Sequence, residues 1–280
     1  MTSMRDVKQR IANVSSTEQI IKAMDMIAST KLYKARAQLD GVRPIYQQLK
    51  RIAEEVGTQS DAASHPFYQE RKVKNSLYII QTSDRGFSGG YNSNIIAKAM
   101  DHMSQGKNEK LIIIGAKGNE YFSAVGKNII YKYTDVSDAH VYYGTESLAR
   151  LLAKLYLSGE VDEVFIAYTR FENVLSQIPQ IEKLLPIATG NSEYSSEKKY
   201  EPDLHTFIDH TIPLYLHMNI FRAFLESHTS EQAARMVNMD AAGKNASDMI
   251  EKLTHMYNRN RQAAITQELS EIVGSANTLN

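Results

Sequence analysis

The sequence predicts an α/β protein whose mostly parallel sheet is carried by a long antiparallel coiled coil of its two end helices. Three observations predict it: an apolar heptad near the amino terminus, a similar spacing near the carboxyl terminus, and a middle section of a different character. In that middle section, residues 75–190, short apolar runs alternate with helical stretches, which is the pattern of an α/β unit.

The amino-terminal element is the clearest. Alternating steps of three and four pass through Met4, Val7, Ile11, Val14, Glu18, Ile21, Asp25, Ala28, Leu32, Ala35, Leu39, Val42, Tyr46, Leu49, Ala53 and Val56. Only Glu18 and Asp25 break the stripe. A stripe this narrow is the seam of a left-handed coiled coil, not the broad face of a surface helix. At about 1.5 Å per residue, residues 1–57 span roughly 80 Å, which suits a spacer, shaft or tether. Gly41 and Pro44 lie inside it. Proline removes a helical hydrogen bond, so a kink is expected near Val42–Ile45, with the helix continuing beyond.

The middle section supplies the strands. NSLYIIQTS (75–83), KLIIIGAKG (110–118) and VDEVFIAYTRF (161–171) read as buried strands, and helices are expected over 91–104, 117–125 and 145–158. NIIYKY (128–133) and IPQIEKLLPI (178–187) are weaker strand candidates. Together they make a Rossmann-like α/β domain with a mostly parallel sheet over 75–190. Residues 57–74 and the polar 190–203 read as linkers.

The carboxyl-terminal element repeats the heptad spacing. It passes through Met218, Phe221 and Leu225, a polar stretch, and then Met239, Ala242, Ala246, Met249, Leu253 and Met256. The register slips across Asn258–Gln262 and resumes at Ile265, Leu269, Ile272, Ala276 and Leu279. Pro213 suits a first helical turn, and no proline follows it, so one helix is expected to the end. A bare amphipathic helix must bury its stripe. Residues 204–280 are therefore expected to pair antiparallel with 1–57.

Composition narrows the function. The chain has no cysteine, which excludes disulfides, thiolate metal sites and thiol catalysis and fits a reducing compartment. Formal charge is zero overall but +4 over residues 1–57 and −2 over residues 204–280. That is no nucleic-acid signature, which needs a concentrated basic face; a mildly basic rod suits an acidic protein partner. No apolar run approaches a membrane span, and the start reads as neither a secretory signal nor a transit peptide. Membrane attachment is expected only through partners.

Few motifs carry chemistry. There is no GxxxxGK[ST] loop and no GxGxxG, so nucleotide binding is unsupported. SDRGFSGGYNSN (83–94) joins a strand to a helix; its glycines suit either a tight connection or an anion cradle, and the tight connection is favoured. Asp84 with Arg85 reads as a structural ion pair. The scattered histidines have no metal spacing. RNRQAAITQELSEIV (259–273) sets Arg259, Arg261, Gln262, Thr266, Gln267, Glu268 and Glu271 beside an apolar stripe. It is either a solvated face or a partner surface.

These residues resemble a known family, the gamma subunit of the F-type ATP synthase, its central rotating shaft. RIANVSSTEQIIKAMDMIASTKLYKA (10–35) is similar to the family's opening helix, and SDRGFSGGYN (83–92) to its SDRGLCGG-type segment. ARMVNMDAA (234–242) and YNRNRQAAITQELSEIVGSA (257–276) resemble its most recognisable stretch. Ser88 stands where a cysteine is frequent, and Ser275 where a glycine is usual. No cysteine-bearing insertion of the chloroplast type is present, which favours a bacterial enzyme.

The resemblance implies a shaft that penetrates a hexamer of alpha and beta subunits. Its α/β domain would lie beside the epsilon subunit and above the membrane c ring. Ion flow, such as hydrogen ion transport, would turn it, and its asymmetric surface would drive ATP synthesis or hydrolysis at beta. The chain itself would be non-catalytic and without a cofactor, peripheral at the cytoplasmic face of the bacterial cell membrane. By the same resemblance, Arg261, Gln262, Thr266 and Glu268 would meet the beta catch loops, with Arg235 lower on the shaft. Lys22 and Met24 would lie near an acidic lever of beta. Tyr200, Glu201, Pro202 and Asp203 would form a foot near the c ring. The competing readings are a non-rotary coiled-coil adaptor with an α/β head and a small α/β enzyme dimerising through its helices.

Overall fold

The computed structural model describes residues 4–59, 61–104, 108–134, 140–189 and 200–278, without the side chains of residues 63, 271 and 273–278. The expected linker over 190–203 lies outside the described residues except for 200–203, as does seam position Leu279, and seam position Ala276 is described by its backbone alone. Among the described residues the α-helices and strands follow in the order α1 (Met4–Val56), β1 (Ser76–Gln81), α2 (Tyr91–Met103), β2 (Glu109–Ile114), α3 (Ala116–Ala124), β3 (Ile129–Tyr133), α4 (Val141–Leu157), β4 (Glu163–Phe171), β5 (Gln177–Leu185) and α5 (Leu204–Thr278), with a short 3-10 helix, Ala62–Ser64, between α1 and β1. The chain divides into two compact units, Met1–Ala28 with Met236–Asn280, and Ser29–Arg235.

In the first unit, α1 and α5 pair antiparallel. Ser247 faces Glu18, and Gly243 faces Ile21, whose Cγ2 lies 3.7 Å from where a Cβ on Gly243 would stand. Residues rise on one helix as they fall on the other. The small residue lets the backbones approach. Asp25, the second break in the stripe, is half-buried, and its Oδ1 has no hydrogen-bond partner among the described residues.

The seam of α5 differs from the expected one. Met239, Ala246 and Leu253 are buried, as the spacing predicts, but Met249 and Met256 are exposed. Ala242 is half-buried where the spacing places it, beside Gly243, while Ile250 and Tyr257 are half-buried in place of Met249 and Met256. At those two positions the seam sits one residue later than the apolar pattern indicates. Methionine marks apolar character without marking a face, because it is tolerated at the surface as well as in the core.

The second unit is built on a five-stranded sheet of order β3-β2-β1-β4-β5. β1 to β4 run parallel. β5 is antiparallel to β4, because a short turn cannot carry the chain back to a parallel start. In that turn Asn173 Oδ1 accepts the N–H groups of Leu175 and Ser176, both at 2.9 Å. The sheet is covered on both faces, and its strands alternate between two cores. Leu77, Ile79, Ile112, Ile114, Val164 and Ile166 join α1, α4 and α5 on one face. Tyr78, Ile80, Leu111, Ile113, Phe165 and Ala167 join α2 and α3 on the other.

Two further expectations change, and the continuation of α1 beyond Pro44 is borne out. Residues 57–74 are no simple linker: Phe67 and Tyr68 are buried, Tyr68 donates to the carbonyl of Ala53 at 2.8 Å, and Phe67 O accepts from Ile187 N at 2.9 Å. Pro213 lies well inside α5, which begins at Leu204. The true start is capped by Asp203, whose carboxylate accepts from Thr206 N at 2.9 Å and Thr206 Oγ1 at 2.7 Å, an arrangement that satisfies otherwise orphaned helical donors. The helix α1 runs through Gly41 and Pro44 without interruption.

Candidate functional site

In an open α/β sheet, ligands bind outside the carboxyl ends of the strands, where the strand order reverses. Here that place lies beside β1, between β2 and β4, and the chain's own helix fills it. β1 pairs with β4 only as far as Ile80 with Ala167. Beyond that point β4 continues, and α5 takes over its free edge. Thr169 N donates to Ser227 Oγ at 3.2 Å, Ser230 Oγ donates to Thr169 O at 3.1 Å, and Phe171 N donates to the Glu226 carboxylate at 3.2 Å. From β1, Gln81 Nε2 donates to the carbonyl of Phe224 at 3.2 Å. Pro179 opposes Thr169 on β5; with Thr169 committed to α5, the missing proline N–H costs nothing there. No described cluster of His, Asp or Glu has the arrangement of a metal site.

The loop after β1 is a scaffold. Thr82 N donates to Ile114 O at 2.8 Å, and Thr82 Oγ1 accepts from Gly118 N at 2.8 Å. Asp84 accepts from Ala116 N at 2.9 Å and so caps α3 across the sheet end. Asp84 thus serves as a helix cap, a role beyond the ion pair expected from the sequence. Asn92 Oδ1 accepts Ser83 N at 2.9 Å. Phe87, at the loop tip, has φ 66° and is 68% exposed, a conformation bulky residues rarely adopt.

α5 also carries a buried charge cluster that the sequence reading did not single out. Arg222 is 5% exposed. Its Nη1 donates to Tyr168 OH at 2.8 Å, and its Nη2 donates to Glu182 and to Asn219 Oδ1, both at 2.7 Å. Its guanidinium lies 4.3 Å from the Tyr46 ring centre and 4.9 Å from that of Tyr168. Glu226 stands 3.6 Å away on the next turn and also takes Arg43 Nε at 3.3 Å. Two cations thus face two carboxylates. Desolvation would raise the Glu182 pKa, but the charge of Arg222 and hydrogen bonds from Asn219 and Tyr46 overcome it, and the pKa is lowered. Burial, opposed by Arg222, pushes the Tyr168 hydroxyl up to about 12. The signal in the sequence was Arg222 and Glu226 at i,i+4 among Ile220, Ala223, Phe224 and Leu225. A helix apolar on every side is a buried one.

The residues singled out by resemblance fall in separate places. Arg235 is 9% exposed and is used within the chain. It donates to Gly86 O at 3.2 Å and Gln232 Oε1 at 3.1 Å, and pairs with Glu231 at 2.6 Å. Lys22 is exposed and pairs with Glu18 at 2.9 Å, and Met24 is half-buried. Tyr200 is half-buried with its ring 5.0 Å from that of Phe207. Glu201, Pro202 and Asp203 are exposed.

Arg261, Gln262, Thr266 and Glu268 are all exposed, and so are Ile265, Leu269 and Ile272. This corrects the expectation that the last stripe is seam. Counting back from the pair of Glu18 and Ser247, Met4 at the start of α1 comes level with Arg261. The remaining turns of α5 run past Met4, so no helix among the described residues covers them. Apolar and hydrogen-bonding side chains therefore stand together on one bare helix end.

Comparison with known proteins agrees with this architecture. A family model described as ATP synthase matches residues 3–279. The chain is 40% identical over 282 residues to the ATP synthase gamma chain of Desulforamulus reducens, covering 100% of both. It is 40% identical over 281 residues to that of Moorella thermoacetica, again covering 100% of both. Among solved structures it is similar to a chain of the Euglena gracilis mitochondrial ATP synthase rotor, with TM-score 0.71 at 17% identity, covering 94% of this chain and 98% of that one. With the family model matching nearly the whole chain and relatives 40% identical over their full length, the chain belongs to the ATP synthase gamma chain family.

Proposed function

We propose that this chain is the central rotor shaft of an F-type ATP synthase. It couples ion flow through a membrane c ring to ATP synthesis or hydrolysis at beta subunits, and is not itself catalytic. The observation that carries the reading is the bare end of α5, where Ile265, Leu269 and Ile272 are exposed beside Arg261, Gln262, Thr266 and Glu268. An apolar stripe without a helix to cover it marks a protein interface. A collar formed by alpha and beta subunits would cover it.

In this reading Arg261, Gln262, Thr266 and Glu268 meet the beta catch loops. Lys22 and Met24 face an acidic lever of beta, in keeping with the +4 charge of residues 1–57. Arg235 meets beta by its exposed edge while holding Gly86. Tyr200, Glu201, Pro202 and Asp203 sit near the c ring, and epsilon lies against the α/β domain. No helix of the described residues is long and apolar enough to cross a membrane, which fits attachment through partners at the cytoplasmic face of a bacterial membrane. Co-purification tests the reading: the chain should be recovered in a complex with alpha and beta subunits that hydrolyses ATP. A chain that stays apart from both would be an adaptor of another kind.

A further inference from the structure

Between Asn219 and Arg235, α5 is held by polar bonds from several sides. β5 holds it through Glu182, which takes Asn219 Nδ2 at 3.2 Å and Arg222 Nη2 at 2.7 Å. β4 holds it through Tyr168 and the backbone of Thr169 and Phe171. β1 reaches it through Gln81, and α2 through Tyr91, whose hydroxyl lies 2.7 Å from Ser227 Oγ. α1 reaches it through Arg43 and Glu226, and the loop after β1 through Gly86 and Arg235.

Stability is a poor explanation for so polar a core. Buried ion pairs lose to their desolvation cost about as much as they gain, and apolar replacements of similar volume are often neutral or stabilising. Their distinctive property is direction. Apolar packing is non-directional and changes little as one surface slides over another. A hydrogen bond fails within about 1 Å of stretch. Turning a helix by about 15° about its own axis moves side-chain atoms at its surface by about 1.4 Å, enough to break the bonds that the side chains of α5 make.

We propose that this collar is a torque joint: Arg222, Glu182 and Glu226 lock α5 against rotation about its own axis relative to the sheet. Twist applied to the α/β domain then reaches α5 without slip. Arg222 is its central positioning residue, joining β4, β5 and α1 to α5 through one planar group. The torque role rests on the rotor reading; the lock itself does not.

The test separates the two. Because the chain has no cysteine, spin labels are placed by introducing Leu175→Cys at the β4–β5 turn and Leu214→Cys on α5, both exposed positions. In the full-length chain, Arg222→Met is expected to widen the label-to-label distance distribution at least about twofold, and Arg222→Lys less, since lysine keeps the charge without the fork. Ser227→Ala, a milder change, should also widen it and serves if Arg222→Met does not fold. An unchanged width in the folded variants overturns the lock. In the assembled enzyme, Arg222→Met should leave unloaded ATP turnover within about 1.5-fold but cut rotation speed against a heavy viscous load at least about twofold, since the lock resists displacement only under force. Equal losses with and without load overturn the torque role. A wild-type chain that fails to join alpha and beta subunits overturns the rotor reading, while the distance measurement still decides the lock.

Discussion

Ser247 on α5 donates its hydroxyl to the carboxylate of Glu18 on α1 at 2.6 Å, across the seam of the helix pair. The residue that breaks the apolar stripe is thus the one that marks its register. A single polar pair in a coiled-coil seam specifies alignment, because any slip leaves the group without its partner. That hydrogen bond, followed by one from Lys22, holds the Glu18 carboxyl below the usual carboxylate range. Ser247→Ala should therefore raise the Glu18 pKa, as followed by NMR titration of its side chain. An unmoved titration would show that the two residues do not meet in solution.

The corrected seam makes a paired prediction. Ile250 is half-buried and Met249 exposed. Ile250→Asp should loosen the pairing of α1 and α5 by at least about 2 kcal/mol, the cost of placing an uncompensated charge against apolar surface. Met249→Asp should change it by no more than about 0.5 kcal/mol. Amide hydrogen exchange along α1 reads both. The reverse ranking would restore the seam that the methionine spacing implies.

Gly115 carries the turn from β2 into α3 at φ 97°, and a Cβ there would stand 2.2 Å from the carbonyl oxygen of Thr82. Gly159 has φ 77° with nothing within 4 Å. Both pay the left-handed penalty of roughly 1–2 kcal/mol when replaced by alanine. Only Gly115→Ala adds a collision with backbone. Chemical denaturation should find it clearly more destabilising than Gly159→Ala, and equal losses would contradict this packing.

Two histidines predict a pH response. His65 is buried, its Nε2 lies 3.1 Å from Asp209, its Nδ1 accepts Phe67 N, and His205 stands nearby. Desolvation lowers its pKa against the opposing pull of Asp209. His217, bonded to Tyr142 O at 3.0 Å, is lowered by desolvation too, with Glu146 and Arg150 acting in opposite senses. A depressed histidine binds fewer protons folded than unfolded. Stability from this source is full above the ordinary value of about 6.5 and is lost as pH falls through the lower folded-state values. Melting temperature should drop between pH 7.5 and about 5.5, and His65→Gln with His217→Gln should flatten part of that slope. A slope unaffected by both changes would assign it to the carboxylates.

Gln262 and Glu268 are exposed on the same uncovered part of α5 as Ile265, Leu269 and Ile272. Replacing both by alanine should shift the isolated chain's stability by no more than about 0.5 kcal/mol. In the reconstituted enzyme it should lower ATP turnover or assembly, since each hydrogen bond to a partner contributes about 1 kcal/mol net. Turnover and assembly at wild-type levels would make these residues a solvated face.

The sequence by itself determined the elements that depend on local periodicity. The 3-4 stripe of α1 is its observed buried face from Val7 to Val56, Met4 alone being exposed. The apolar runs are the observed strands, because both faces of this sheet are covered and its strands need apolar residues on each side. The long pairing helices followed from the need to bury two stripes. Tertiary structure decided what periodicity cannot encode. The seam of α5 passed from Met249 to Ile250 and from Met256 to Tyr257, since several apolar residues compete for the seam and only the opposing helix selects among them. The polar stretch from Glu226 to Gln232 became core, because its partners Tyr91, Thr169 and Arg43 lie far away in sequence. Asp84 became the cap of a helix that starts more than thirty residues later. Local pattern reports which side of an element avoids water; only the folded chain supplies the charges, carbonyls and N–H groups that let a buried polar side chain do without it.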